Sequence, residues 1–452
     1  MSILIIGGGE IGTFIADRLI REGKEVVLVE KDERVVDELK EELDAKVICG
    51  NGAAPRVLRE AELGKAEMVV AVTDSDEVNL LATMLAGMEA PQAVRIARIR
   101  SREFDIEGES LQHDLRINLV INPDKVAARA ILRVLEIPGA IDLMDFFDGK
   151  VKLVGASAQK TCPLINRPLK DLTRLWEDGR FLVAAVFRHG EFILPAGESK
   201  IHPGDVVYFV SQSEHVPDGM KLLGHRGEKA HDVMVAGGGF VGLNLAAGLE
   251  KKGINVKVVE QDPRLCSVLS RSLSRPVILN ATATDQDFLK EENISGMDAF
   301  VAVTRDDEEN ILSALLAKRL GCQLAVALSH KAGYLPIISS LGIDVVLSPR
   351  QLTIDGILHF IRKGKVLQAS SLRDEAEIIE VEALETTDLV GKPIKDVKLP
   401  KGVLILSVKR KETIVVPWGD TVIEPGDRVL MLAGRNAVPK VEKFITVKLE
   451  YF

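Results

Sequence analysis

The residues best suited to chemistry form a glycine-rich loop followed by a single acid. Gly7, Gly9 and Gly12 make a G-x-G-x-x-G pattern, and Glu30 lies 18 residues beyond the last glycine. In such a loop the first glycine allows a tight turn, the second lets a pyrophosphate approach the backbone, and the third lets helix and strand pack closely. The following helix directs free N–H groups at the phosphates. An acid at this distance accepts both ribose hydroxyls, which favours NAD over NADP.

The same loop and acid recur in the second half of the chain. Gly237, Gly239 and Gly242 repeat the spacing, and Glu260 again lies 18 residues beyond the last glycine. The second loop is therefore predicted to bind phosphates equally well. The loop residues and acids of the two candidate sites are Gly7, Gly8, Gly9, Glu10, Ile11, Gly12 and Glu30, and Gly237, Gly238, Gly239, Phe240, Val241, Gly242 and Glu260.

Further contacts are expected from residues at the ends of the later strands, because parallel sheets bind ligands outside the carboxyl ends of their strands. Asn51 and Gly52 follow the third predicted strand, and Thr73 and Asp74 follow the fourth. Arg98 ends the fifth, where a guanidinium group is well placed to pair with phosphate oxygens.

The two candidate sites differ at these later positions. Aligned by sequence, Thr73 corresponds to Thr304, Gly50-Asn51-Gly52 to Asn280-Ala281-Thr282, Asp74 to Arg305 and Arg98 to Ser329. A site without the arginine lacks one charge-assisted phosphate contact. The second site is therefore predicted to differ from the first in affinity or in ligand.

The elements that position these residues alternate between short apolar strands and amphipathic helices. In the first copy, strands are predicted at 2–6, 25–29, 46–49, 68–72 and 94–97, and helices at 10–22, 33–43, 54–61 and 76–87. This alternation is typical of a doubly wound parallel sheet, and together with the loop it predicts a Rossmann-like domain.

An internal duplication sets the domain organisation. Residues 3–30 match 233–260, residues 69–86 match 300–317, and residues 193–210 match 415–432. The fold class is therefore α/β, with two Rossmann-like domains (N-modules) that are each followed by a small α+β domain (C-module). The predicted ranges are 1–122 for the first N-module, 123–149 for a crossover helix and linker, 150–228 for the first C-module, 231–348 for the second N-module, 349–366 for a crossover helix and 367–452 for the second C-module.

The two crossover helices carry apolar stripes that must be buried. They are predicted near 123–136 and 350–362. Packing against a neighbouring module, within or between chains, is one solution, and packing back on their own sheets is the other.

Composition and side-chain spacing exclude several functions. The net charge is −9 without a Lys/Arg-dense run, which argues against nucleic acid as a partner, and no apolar run reaches the length of a membrane span. The histidines lack metal-ligand spacing. The acidic runs at 74–77 and 306–309 begin helices, where acids complement the helix dipole, and metal binding is the alternative explanation for them. The four cysteines, Cys49, Cys162, Cys266 and Cys322, are expected to be small buried hydrophobic residues. No signal segment is expected ahead of the first strand.

Three classes of function are compatible with two such loops: a nucleotide sensor, an NAD-dependent oxidoreductase and a scaffold. An oxidoreductase needs an acid or base near the nicotinamide. The histidines His189, His202 and His215 of the first C-module are replaced in the second by Lys411, Glu424 and Ala437. A scaffold does not explain two intact loops. The sequence therefore favours a sensor without enzymatic activity over the alternative of an oxidoreductase.

Four segments resemble the regulatory proteins of Trk-type potassium uptake, whose domains are of the RCK or KTN class. They are G-G-G-E-I-G at 7–12, P-R-V-L-R-E at 55–60, V-A-V-T at 70–73 and R-I-A-R-I-R at 95–100, and the module order matches over the whole chain. The resemblance implies a cytosolic subunit that binds NAD(H), or ATP or ADP, and forms a homo-oligomeric ring. This ring would control a membrane potassium transporter from the inner face of the cell membrane, without inserting into lipid.

The resemblance also implies roles for individual residues. The phosphate loop falls on residues 7–12, the ribose acid on Glu30, the later-strand contacts on Thr73 and Asp74, and the phosphate arginine on Arg98. The activating nucleotide, the ligand of the C-modules and the number of chains in the ring stay open at this point.

Overall fold

The computed structural model divides the chain into two compact units, Met1–Ala127 with Ser348–Ile361, and Ala128–Leu347 with Arg362–Phe452. It describes residues 2–101, 104, 115–137, 139–171, 181–188, 190–225, 230–331, 334, 338, 341–362, 368–372, 375–385, 387, 389–438 and 440–441. Within these residues, no helix is both long and apolar enough to cross a membrane.

The first N-module is a six-stranded parallel sheet in the order β3-β2-β1-β4-β5-β6. Its strands are β1 (Ser2–Ile6), β2 (Glu25–Glu30), β3 (Lys46–Cys49), β4 (Met68–Ala71), β5 (Val94–Arg98) and β6 (Leu119–Ile121). Its helices are α1 (Glu10–Arg21), α2 (Glu33–Glu42), α3 (Pro55–Glu60) and α4 (Asp76–Glu89). The predicted Rossmann-like fold is confirmed, and the crevice expected where the strand order reverses lies beside β1 and β4.

One strand of this sheet was missed by the sequence analysis. The segment β6 has only three residues and pairs in parallel with β5 from Ile96 to Arg98. Three residues are too few to establish a periodicity of two. The strand completes the sheet immediately before the first crossover helix, α5 (Pro123–Glu136).

The first unit also contains the second crossover helix. Ile354, Ile357 and Leu358 are buried in the same hydrophobic core as Ile3 and Ile5 of β1. Burying each of these side chains contributes roughly 1.5–3 kcal/mol. The predicted packing on a neighbouring module is therefore confirmed for this helix, which covers the sheet of the other half of the duplication.

The second N-module repeats the parallel order as β14-β13-β12-β15-β16-β17. Its strands are β12 (Asp232–Ala236), β13 (Asn255–Glu260), β14 (Val277–Asn280), β15 (Ala299–Ala302), β16 (Leu324–Leu328) and β17 (Val345–Leu347). Leu132 of α5 lies over Gly248, where a Cβ would come within 2.5 Å of its side chain, and Glu136 pairs with Lys252. The first crossover helix therefore contacts the second N-module.

The remaining helices belong to the second unit, apart from the second crossover helix. They are α6 (Val216–Leu222), α7 (Phe240–Lys251), α8 (Pro263–Ser272), α9 (Gln286–Glu291), α10 (Asp307–Arg319) and the crossover helix α11 (Pro349–Arg362).

Each C-module is a five-stranded sheet built mainly from antiparallel pairs, which confirms the α+β class. The first contains β7 (Ala140–Phe146), β8 (Val151–Ser157), β9 (Phe181–Arg188), β10 (Glu191–Ile193) and β11 (Val206–Gln212), and the second contains β18 (Gln368–Leu372), β19 (Ala376–Glu382), β20 (Val403–Arg410), β21 (Thr413–Val415) and β22 (Arg428–Gly434). Phe146 and Tyr208 share one buried core with Ile378 and Leu430. The two C-modules therefore pack against each other within the chain.

Candidate nucleotide-binding sites

The first phosphate loop is shaped by steric limits that only glycine meets. Gly7 has a φ of +109°, and a Cβ on it would lie 2.9 Å from the backbone nitrogen of Thr73. A Cβ on Gly12 would lie 1.9 Å from the carbonyl oxygen of Gly7. Gly237 and Gly242 repeat this geometry, with a φ of +108° and the same 1.9 Å approach. Both loops therefore bring a strand end and a helix start into close contact.

Open space and an uncapped helix follow in each loop. A Cβ on Gly9 or Gly239 would have no neighbouring atom within 4 Å. The helices that start at these loops, α1 and α7, have no side-chain cap, whereas Asp32 caps α2 and Ser75 caps α4. The first turn of an uncapped helix presents N–H groups and a partial positive charge to an anion. Ile11 and Val241 lie buried beneath the loops.

The acid after the second strand faces the phosphate loop. Oε2 of Glu30 accepts the amide of Gly8 at 2.7 Å, and Oε1 accepts the amides of Lys31 at 2.7 Å and Asp32 at 3.0 Å. An ionised carboxylate has about four acceptor positions, so these three bonds leave room for a ribose hydroxyl. The side chain is thus fixed at the sheet edge beside the phosphate loop.

The second acid is held in the same way but is more deeply buried. Oε2 of Glu260 accepts the amide of Gly238 at 2.6 Å, and Oε1 accepts the amide of Asp262 at 2.8 Å. Only 8% of Glu260 is exposed. The two sites therefore share the position of the acid relative to the loop.

A buried asparagine that the sequence analysis missed holds the end of β4 in place. Oδ1 of Asn79 accepts the amide of Thr73 at 2.9 Å and its hydroxyl at 2.8 Å, and Nδ2 donates to the carbonyl oxygens of Thr73 and Arg98. Asn310 makes the equivalent bonds to Thr304 and to Leu328. The signal was available, since the two asparagines occupy the same position of the repeat on otherwise apolar helix faces.

Arg98 and Asp74 are brought together at the end of β5 and β4. Nη1 of Arg98 lies 3.0 Å from Oδ1 of Asp74 and donates to the carbonyl of Thr73 at 3.3 Å. Nε of Arg98 is buried and has no partner among the described residues. The predicted phosphate arginine thus stands at the crevice with Asp74 as its present partner and one donor free.

The sequence alignment of the two halves was wrong by one residue at two places. Nδ2 of Asn79 bonds to Arg98 and that of Asn310 bonds to Leu328, so Leu328 and not Ser329 is the counterpart of Arg98. The cause is that α10 has 13 residues where α4 has 14. The expected difference in charge between the two sites persists, because neither Leu328 nor Ser329 is a cation.

The second error concerns the turn after the third strand. The amide of Gly50 donates to the carbonyl of Glu30, and that of Ala281 donates to the carbonyl of Glu260. Gly50-Asn51-Gly52 therefore corresponds to Ala281-Thr282-Ala283, because one extra residue precedes β14. Oδ1 of Asn51 accepts the amide of Ala53, and a Cβ on Gly52 would meet Ile6 at 2.2 Å.

The acidic runs stabilise the backbone beside each site. Asp76 accepts the amides of Arg100 and Ser101, and Asp307 accepts those of His330 and Lys331. Burial acts to raise the pKa of Asp307, but these hydrogen bonds outweigh it and hold the pKa below its usual value. No group of metal-ligating side chains occurs among the described residues.

The cysteines only partly follow the sequence-based expectation. Cys162 and Cys322 are buried, and burial raises the pKa of Cys322 to about 11. Cys49 is exposed and Cys266 is half-buried, so the expectation of four buried thiols was wrong. Cys49 ends β3, the edge strand of its sheet, and Cys266 lies on the helix α8. His189 lies outside the described residues.

The chain contains a Rossmann-like fold twice, with a glycine-rich loop of this geometry in each copy, and two domain families match it. The TrkA-N domain matches residues 3–123 and 233–349, and the TrkA-C domain matches residues 153–224 and 378–446. The Trk system potassium uptake protein TrkA of Azorhizobium caulinodans is 36% identical over 100% of both chains. The TrkA homolog 1 of Methanosarcina mazei is 33% identical over 98% of this chain and 100% of that one. The chain belongs to the TrkA family of potassium uptake proteins.

Solved structures show the same fold at lower identity. The crystal structure of the GsuK RCK domain has a TM-score of 0.62 and 18% identity, covering 98% of this chain and 94% of that one. The GsuK channel bound to NAD has a TM-score of 0.61 and 18% identity, covering 98% of this chain and 78% of that one. This likeness shows that the same fold extends over nearly the whole chain.

Proposed function

We propose that the protein is a nucleotide-sensing regulatory subunit of a Trk-type potassium uptake system. It binds NAD(H), or ATP or ADP, in its N-modules and controls a membrane potassium transporter by a conformational change. The observation that carries this proposal is the combination found in both loops: an uncapped helix start, open space over the central glycine and an acid fixed beside the loop. The full-length relatives named for potassium uptake and the NAD-bound channel of the same fold support it.

Different residues of each site bind different parts of the nucleotide. Backbone N–H groups at the start of α1 bind the phosphates, and Glu30 accepts hydrogen bonds from the adenosine ribose. A 2′-phosphate would be repelled by the same carboxylate, so NADP is disfavoured. Arg98 exchanges Asp74 for phosphate oxygens when the ligand is bound. In the second site Arg305 and Leu328 stand at these positions, so its ligand preference differs.

Control of the transporter follows from linkage. A nucleotide that binds two arrangements of the N-modules with different affinity shifts their equilibrium by no more than that difference. The proposed assembly is a homo-oligomeric ring on the inner face of the membrane, attached through the transporter protein. A net charge of −9 disfavours attachment to anionic lipid.

The direct test is calorimetric titration of the full-length chain with NAD, NADH, ATP and ADP. Saturable binding with up to two nucleotides per chain is expected, and NADH absorbance should stay constant during incubation with the protein. Absence of binding for all four nucleotides would contradict the proposal. Steady oxidation of NADH with a defined substrate would instead favour the oxidoreductase.

A further inference from the structure

We propose that Arg350, which belongs to the second half of the duplication, is a phosphate-binding residue of the first nucleotide site, and that Glu10 competes with the nucleotide for it. This inference rests on the proposed function, because it assigns a residue to one of its nucleotide sites. Nη1 of Arg350 lies 2.8 Å from Oε2 of Glu10, and Nη2 lies 3.5 Å from the carbonyl oxygen of Glu10. Glu10 is the first residue of α1 and directly follows Gly9 of the phosphate loop.

The guanidinium is brought to the loop by a well-packed helix. Ile354, Ile357 and Leu358 anchor α11 in the core beneath the first sheet, one to two turns after Arg350. The side chain of Arg350 is 24% exposed, whereas that of Glu10 is 72% exposed. The arginine is therefore the fixed member of the pair, and the glutamate is the member that solvent or a ligand displaces readily.

Helix stability does not account for an arginine at this position. Arg350 lies in the first turn of α11, where the helix dipole disfavours a cation. The equivalent residue of the other crossover helix is Asp124, after Pro123 as Arg350 is after Pro349, and an acid is the type that the dipole favours. Glu10 itself is replaced by Phe240 in the second loop. The pair of Arg350 and Glu10 is thus particular to the first site.

The local charges favour an anion with more charge than one carboxylate. The starts of α1 and α11 and the guanidinium of Arg350 meet here, and Glu10 is the acid paired with that guanidinium. An ion pair whose acid is this exposed to solvent is weak. Phosphate oxygens accept two parallel N–H bonds from a guanidinium and bind it more strongly. The free Nε of Arg98 supplies a further donor at the same edge of the sheet.

The position of Arg350 predicts a preference among nucleotides. ATP and ADP end in a phosphate that carries more charge than the internal diphosphate of NAD. The guanidinium of Arg350, which lies where the loop joins α1, therefore binds the terminal phosphate of ATP or ADP more strongly than the diphosphate of NAD. The first site is expected to use Arg350 to distinguish nucleotides that end in a phosphate from the dinucleotide.

The test is calorimetric titration of the full-length chain and its variants with ATP, ADP and NAD. Arg350→Ala should weaken ATP and ADP binding at one class of site by about ten-fold, and NAD binding less, as expected for the loss of a charge-assisted contact. Glu10→Gln should tighten ATP binding several-fold, a direction that misfolding does not produce. Arg21→Ala, which removes an exposed arginine from the other end of α1, is the matched control and should leave all three affinities unchanged.

The outcomes separate this inference from the proposed function. If the unmodified chain binds nucleotide and Arg350→Ala binds ATP equally well, the inference is wrong and the proposed function stands. If the unmodified chain binds no nucleotide, both are wrong. Should Arg350→Ala fail to fold, Glu10→Gln decides, since unchanged or weaker ATP binding in that variant contradicts the competition between Glu10 and the nucleotide.

Discussion

The carboxylate of Glu30 already accepts three backbone N–H groups without a ribose. This arrangement fixes the position and direction of the acceptor, so the Glu30 side chain would lose little conformational freedom on binding the proposed nucleotide. It also connects the acid to Gly8 of the phosphate loop. The proposed ribose acceptor and the phosphate loop are therefore joined directly by one hydrogen bond.

Replacing this acid tests the assignment of the first site. Glu30→Ala should weaken NAD binding by roughly 1–3 kcal/mol, because the ribose hydroxyls then lose a charged acceptor. Calorimetric titration measures the change, and Glu38→Ala, an exposed acid of α2, serves as the control. An unchanged affinity in Glu30→Ala would exclude Glu30 as the ribose acceptor.

A second acid provides a pH-dependent test of C-module stability. Burial acts to raise the pKa of Asp205, but hydrogen bonds from Arg188 and from the amide of His202 outweigh it, so the pKa lies below its usual value. A carboxyl whose pKa is lowered by folding stabilises the protein above its unfolded pKa of about 3.9. This stability is lost as the pH falls through the lower pKa of the folded state.

The corresponding variant is Asp205→Asn. Near neutral pH it should unfold more easily by about 1–3 kcal/mol, since Arg188 loses its charged partner. The difference from the unmodified chain should shrink as the pH falls below about 4. Thermal unfolding at a series of pH values measures it, and a difference independent of pH would contradict the account.

The residues that sequence could identify are those whose role depends on the local backbone. The loop glycines and the two acids follow from spacing alone, because a tight turn and a strand end fix where they point. Asn79 and Arg350 depend on tertiary contacts, with partners 19 and 340 residues away. Such partners have no local pattern, although the repeated asparagine was a usable signal.

At the scale of elements, hydrophobic periodicity gave bounds for the long helices and strands that agree within one or two residues. The helix predicted at 33–43 spans Glu33–Glu42, and the helix predicted at 76–87 spans Asp76–Glu89. Strands of three residues and insertions of one residue were not predicted, because neither changes the hydrophobic periodicity enough to be detected. The partner of α11 was also beyond sequence, since an apolar stripe does not specify which sheet it covers.

The packing of α11 on the first sheet can be tested with one side chain. Ile357 is fully buried there, and Ile357→Ala should destabilise the first unit by about 2–5 kcal/mol through the cavity it leaves. Hydrogen exchange of the β1 and β4 amides reports this loss. Leu81→Ala, which truncates an exposed side chain on α4, should have a much smaller effect, and equal effects of both variants would contradict the packing.

At the scale of the whole molecule, the halves of the sequence are not the units of the structure. The first unit takes α11 from the second half, and the two C-modules share one core. Cutting the chain between residues 228 and 231 would expose the apolar surface that α11 covers and the apolar core that the two C-modules share. Differences between the two nucleotide sites are therefore best measured with single-site variants of the full chain.

The proposed sensor predicts that nucleotide binding changes ion flux, and this can be measured in one assay. Potassium flux through a reconstituted Trk-type transporter is recorded with the full-length protein, with and without NADH, NAD, ATP or ADP. At least one nucleotide should change the flux, and the double variant Glu30→Ala with Glu260→Ala should abolish or greatly reduce that change. A flux that no nucleotide alters, or a double variant that responds like the unmodified protein, would contradict the account.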